Sequence, residues 1–176
     1  DEFNLRDDWE ARQERLTAKH DVLTAVDGTS FLTAVTLLAS YRRHKVQSTP
    51  VSCKRADVLK LPLVDFKALE SDLEKGFKRA AELLAEEKIF DDRSLPYATQ
   101  LIPLSAICAH LADRTTQHGV KQKLLRWYWS GVLGELYGGA NETRFAMDIQ
   151  DVVAWVEGGS EPRTVRDANF APTRLL

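Results

Sequence analysis

Five charged residues in the C-terminal third carry whatever chemistry this chain offers on its own. Arg126 and Glu135 lie in "RWYWSGVLGELYGG" (residues 126–139), and Arg144, Asp148 and Asp151 follow in "ETRFAMDIQD". On one helix, Arg126 and Glu135 are nine residues apart, and at about 100° per residue that puts them on opposite sides. They cannot pair with each other, so each needs water or a partner from another helix, since an unpaired interior charge costs several kcal/mol. Ser130, Gly134 and Gly138 recur at four-residue steps in line with Arg126, with Gly131 beside them. A mid-helix glycine costs about 1 kcal/mol against alanine, so such a stripe has a packing or a ligand reason. Two readings stand: a tight helix crossing, or a groove for a ligand or a chain segment with Arg126 at its head.

In the next helix Arg144, Asp148, Asp151 and Trp155 share one side at steps of four, three and four. Arg144 and Asp148 have the spacing of an intrahelical ion pair worth about 0.2–0.5 kcal/mol. Trp155 lies opposite the stripe Phe145–Ile149–Val152–Val156, so it is either a rim residue with a wet edge or an interface anchor. Together Arg126, Glu135, Arg144, Asp148, Asp151 and Trp155 are the candidate polar network or docking surface.

Other residue types point elsewhere only weakly. His20, His44, His110 and His118 are scattered, with neither a helical His pair nor a neighbouring cysteine pair, so no metal site and no cofactor is expected. Ser105, Ser130 and Ser160 lack a nucleophile-elbow setting, and "GGANE" lacks the lysine and strand of a phosphate loop. The basic run "YRRHK" supplies Arg42, Arg43 and Lys45 as candidate contacts to DNA phosphate. Cations at a helix C-terminus also answer to the helix dipole. Cys53 and Cys108 follow no metal spacing, and Cys108 sits in an apolar helical pattern, so both are expected as reduced structural thiols.

The elements that would position these groups are helices almost throughout. "LRDDWEARQERLTAK" places Leu5, Trp9 and Leu16 among charges; Asp27-Gly28 breaks the chain; Thr29 or Ser30 caps "FLTAVTLLASYRRHK", which buries Phe31, Val35, Leu38 and Tyr41. A polar loop "VQSTPVSCKR" leads to one long helix from about Leu63 to Lys88, with Phe66, Leu69, Leu73, Phe77, Ala80 and Leu84 at three- and four-residue steps. Pro96 and Pro103 suit helix starts, and a helix is expected from about Ile102. The aromatic stretch belongs to a helix from about Val120 to Tyr137 ended by Gly138-Gly139. Asn141 caps a last helix to Val156, ended by Gly158-Gly159. Residues 160–176 are expected to be extended or a short turn. The fold class is all-α: one domain over 1–176, about six helices around a central aromatic and glycine-rich helix.

Composition bounds the partners. A 176-residue chain with 44% hydrophobic and 28% charged residues and a net charge of -2 is ordinary globular material. It exerts no general pull on nucleic acid or an anionic membrane. The longest nearly apolar run, "LIPLSAICAHLA", is shorter than the ~20 residues of a membrane span, and the acidic N-terminus is not a signal peptide. A cytoplasmic setting is expected. Both ends read as cut rather than finished, which suggests a domain excised from a larger protein.

Three ordered blocks carry a resemblance: "LPYATQLIPLSAICAHL", "KLLRWYWSGVLGELYGGANETRFAMDIQDVVAWVEGG" and "EPRTVRDANFAPTRLL". With "DEFNLRDDWEARQERL" and "VSCKRADVLKL" they resemble the central helical region of bacterial GmrSD-type restriction proteins. The resemblance implies a parent protein acting in defence against foreign or modified DNA. It would have an upstream ParB-like module linked to nucleotide hydrolysis and, in many members, a downstream HNH-type nuclease. "DGTS" at 27–30 only echoes the ParB-like motif, so no catalytic residue carries over to this chain. The expected role is a non-catalytic scaffold that holds the two modules in register, with the flanking domains as partners and DNA reached through the parent. A nucleic-acid-binding helical module and a small ligand-binding or enzymatic bundle using an Arg126–Gly134 groove are the alternatives.

Overall fold

The computed structural model describes residues 2–139 and 141–168. Among them the fold is all-α, with eight helices: α1 (Leu5–Thr17), α2 (Gly28–Gln47), α3 (Arg55–Leu59), α4 (Leu63–Glu86), α5 (Leu101–Leu111), α6 (His118–Leu133), α7 (Glu142–Val156) and α8 (Arg163–Asp167). Short 3-10 turns link several of them. The expected count of six omitted α3 and α8, both five residues long. No helix of the described residues is long and apolar enough to cross a membrane.

α4 shows how pattern becomes structure. Phe66, Leu69, Leu73, Phe77, Ala80 and Leu84 are all buried, and they lie on one face because 3.6 residues make a turn. The helix stops where Lys88 adopts a left-handed backbone, and the Ile89 and Lys88 amides donate back to the Leu84 and Ala85 carbonyls. α2 begins two or three residues earlier than expected from a Thr29 or Ser30 cap. Asp27 is its cap, accepting the Ser30 amide at 2.7 Å.

The helix enclosed on every side is α5. All its residues but His110 are buried, and it packs first against α4, then α2, then α7. Its small residues make this possible. A Cβ on Gly76 of α4 would overlap the Ser105 carbonyl and stand 2.9 Å from the Ala109 nitrogen, so two backbones meet where neither helix has bulk. α6, the aromatic helix expected at the centre, turns Leu124, Trp127 and Tyr128 fully inward, but Trp129 is only partly buried and Leu133 is 49% exposed. Its aromatics fill one side of the core rather than its axis.

A second packing centre joins α1, α2 and α4. The Phe31 ring meets Phe77 at 5.6 Å, Trp9 at 5.6 Å and Phe66 at 6.3 Å, and the Arg12 guanidinium lies 4.9 Å over it. Arg12 is 2% exposed and is neutralised by Asp8, Glu70 and Glu74. This buried cation pins α1 to α4.

α6 ends four residues before its expected terminus. Gly134 is the last-turn cap and Glu135 is left-handed at φ 55°. The Leu136 and Glu135 amides close on the Gly131 and Val132 carbonyls at 3.0 Å each. α7 ends as expected, with Gly158 at φ 101°. Residues 160–168, expected to be extended, contain α8; residues 169–176 of that expectation lie outside the described residues.

Gly76→Ala is expected to destabilise the fold by about 2–3 kcal/mol, because overpacked backbone cannot move aside. Gly119→Ala, at a helical position where an added Cβ meets nothing within 4 Å, should be neutral or stabilising by about 0.5 kcal/mol. Urea unfolding of the two variants checks the contrast.

Candidate functional site

Asp148 is the residue around which the C-terminal elements gather. It projects from α7 and is 0% exposed, not part of a surface stripe as its spacing suggested. A buried carboxylate needs donors on both oxygens. Tyr137, in the α6–α7 connection, donates its hydroxyl to Oδ2. Thr164, from α8, donates to Oδ1 at 2.5 Å. The Trp127 indole N–H makes no bond of normal geometry but is close enough to help hold the charge. Arg144 does not pair with Asp148 directly, as i,i+4 spacing predicted. Its Nη1 donates to Thr164 Oγ1 at 2.9 Å, so the guanidinium acts on the carboxylate through a hydroxyl.

The electrostatics follow from this enclosure. Burial pushes the Asp148 carboxyl up, and the Thr164, Tyr137 and Trp127 donors and the Arg144 charge hold it down. The balance leaves it at about 6. Tyr137 is pushed well above its ordinary value, by burial first and then by the Asp148 charge, so it stays protonated and remains a donor.

Asp151, one turn on, carries a second tie. Its Oδ2 accepts from the Arg163 backbone N–H at 3.0 Å and from Nε at 2.9 Å, and its Oδ1 accepts from Nη2 at 3.0 Å. The Arg163 hydrogen bonds hold Asp151 below the usual carboxylate range against the effect of burial. The fork geometry of Arg163 fixes the first residue of α8 against α7.

The remaining candidates separate. Arg126 is exposed, pairs with Glu161 at 2.9 Å, and lies 5.9 Å from the Trp155 ring centre. Trp155 is 8% exposed, so it is no free interface anchor. Lys123 lies 5.5 Å from its ring, and the Lys123 ammonium donates to the Trp155 carbonyl at 2.9 Å. Cations from α6 thus cover this indole and answer the C-terminal carbonyls of α7. Glu135 is exposed on the turn after α6, so it is not on the helix face opposite Arg126.

Among the described residues, Ser130, Gly131 and Gly134 are packed against neighbours. Ser130 and Gly131 are buried; a Cβ on Gly131 would press on Tyr137 at 2.6 Å and on Gln100 Nε2 at 2.7 Å. A Cβ on Gly134 would stand 2.9 Å from the Ser130 carbonyl and 3.2 Å from the Ala168 Cα, so Ala168, just after α8, rests against Gly134. Gly138 lies beyond the helix, and among the described residues a Cβ there would meet only the Glu135 carbonyl, at 3.8 Å. Of the two readings, close packing is the one these distances support, and it involves Gly131 and Gly134.

Arg42 and Arg43 lie 3.8 and 4.0 Å from Asp72 and Asp65 of α4, and Lys45 lies 5.9 Å from the Tyr41 ring centre. These cations are partly answered within the fold. Cys53 and Cys108 are free and buried, and burial pushes both thiols to about 12. Among the described residues no three metal-ligating side chains come together. A groove of about 400 Å³ opens between α1 and α2, lined by Leu5, Trp9, Phe31, Leu32 and Phe66 with Gly28 at its edge. None of the candidate residues reaches it.

Sequence reasoning missed Tyr137, Thr164, Arg163 and Gln100. Gln100 is fully buried and donates to the Tyr128 carbonyl at 3.0 Å, tying the start of α5 to α6. The one available signal was Tyr137 standing immediately before Gly-Gly. Compared with protein-family models, with curated proteins and with solved structures, the chain matches none.

The Asp148 proton is held to higher pH in the folded chain than in the unfolded one. Its stabilising contribution is therefore complete below about pH 4 and is lost as pH rises through about 6, up to about 3 kcal/mol in all. Asp148→Asn removes that dependence. Between about pH 4.5 and about pH 7.5, the stability of the variant relative to wild type should rise by about 2 kcal/mol in urea unfolding. Parallel pH profiles would contradict the assignment.

Proposed function

We propose that this chain is a non-catalytic helical coupling domain of a GmrSD-like DNA-restriction protein of the bacterial cytoplasm. In this reading it holds a ParB-like NTPase module and a nuclease module in register. The family assignment rests on the three resembling sequence blocks. The observation that favours a coupling role is that those same blocks are bonded to one another. The first block contributes Gln100, bonded to Tyr128 of the second; Tyr137 and Asp148 of the second meet Thr164 of the third. α8 is thereby tied mechanically to α7 and to the α6–α7 connection. Coupling between modules needs an element of this kind, since a signal has to cross packed, hydrogen-bonded contacts with defined geometry.

Arg163→Ala in the full-length product tests the reading. Arg163 is exposed, so its loss leaves the helical core intact while freeing one side of α8. Nuclease activity that depends on nucleotide should fall by about tenfold, with nucleotide hydrolysis itself unchanged, a coupling loss within the usual range. Equal activities in variant and wild type would overturn the coupling role. For the isolated chain, a DNA gel shift that weakens steeply with salt would favour the nucleic-acid-binding alternative through Arg42, Arg43 and Lys45.

A further inference from the structure

α8 is too short to hold a helix by itself, since an isolated turn does not repay its nucleation cost. Its place on the molecule is set by polar contacts: Arg163 on Asp151, Thr164 on Asp148, Arg144 on Thr164, and Glu161 just upstream on Arg126. The apolar share is small, with Pro162 buried and Val165 half-buried. One of those contacts ends on a carboxylate with no access to water.

We propose that α8 is a releasable strap whose docking is governed by the charge on Asp148. With Asp148 neutral, the strap closes at little electrostatic cost. The acid proton is donated to the Tyr137 oxygen, and Thr164 still donates to the other carboxyl oxygen while accepting from Arg144. With Asp148 ionised, closure confines a charge whose partners do not fully replace water, and opening the strap lets water reach it. The groups facing Asp148 set this balance. From α7 come Arg144, which favours the charge, and Asp151, whose own charge Arg163 neutralises. From α8 comes Arg163, which also feels Asp148. Tyr137 comes from the α6–α7 connection and the Trp127 indole from α6, and both stay uncharged. The strap therefore opens more readily at neutral than at acidic pH.

The inference concerns α8 alone and does not depend on the coupling role. A strap that responds to pH in a protein whose Arg163→Ala variant couples normally would remove that role and leave the strap.

Hydrogen exchange of the full chain, followed by mass spectrometry and corrected for intrinsic rates, tests it. The reporters are the hydrogen-bonded amides of Arg163, Val165 and Arg166. Between about pH 5 and about pH 7.5 their opening should increase by up to about tenfold while α5 stays protected, since each pKa unit is worth a factor of about ten and about one unit of the shift lies in that window. In Asp148→Asn the increase should disappear. Equal corrected protection at the two pH values in the wild-type chain overturns the proposal, as does loss of α5 protection in step with α8. An increase that survives in Asp148→Asn overturns it too. Should that variant not fold, the wild-type comparison still decides.

Discussion

A carboxylate sealed from water dictates the arrangement of its neighbours. Asp148 has no solvent contact, so both its oxygens need donors, and the donors come from separate parts of the chain: Tyr137 before α7 and Thr164 after it. Satisfying one buried side chain thus fixes where the α6–α7 connection and α8 lie relative to α7. Arg144 then serves the threonine rather than the aspartate, and Asp151 holds Arg163 one turn away. Such a hub is a poor device for maximum stability, because an apolar replacement for a buried charge is often as stable. Its use is positional: the partners have one arrangement that leaves nothing unpaired.

The core beneath it follows another constraint, that of backbone proximity. α5 is enclosed by α4, α2 and α7, and Gly76 lets α4 approach so closely that Ser105 and Ala109 stand where a side chain would be. Gly131 repeats the device under Tyr137 and Gln100, and Gly134 under Ala168. Gly131 and Gly134, whose spacing suggests either a tight crossing or a groove, are sites where one part of the chain rests on another. In the coupling reading this is the useful property, since a filled interior passes displacement on instead of absorbing it.

The sequence made the amphipathic elements plain and hid the long-range partners. The α4 stripe from Phe66 to Leu84 was visible because a 3.6 period repeats over six residues. The pattern extends α6 too far because Leu136 and Tyr137 continue its apolar spacing past the break. The left-handed residue there is Glu135, where glycine would have given the signal. Asp148 and Arg144 have the spacing of a surface ion pair, and only Thr164, 16 residues from Asp148, shows that the aspartate is inside. The bulk of the aromatic helix suggests a central place that it does not take. A helix at the axis is instead served by small residues such as Ser105, Ala106 and Ala109, which allow close neighbours on every side. Arg12 was unreadable for the same reason as Asp148: its carboxylates Glu70 and Glu74 sit on another helix.

The most direct measurement of the hub is the titration of the Asp148 side-chain carboxyl in the folded chain, followed by carbon NMR. A midpoint near about 6 is the result expected of a carboxylate held inside by Tyr137 and Thr164. A midpoint at the ordinary aspartate value of about 3.9 would mean that water reaches Asp148, and the interior hub would be contradicted.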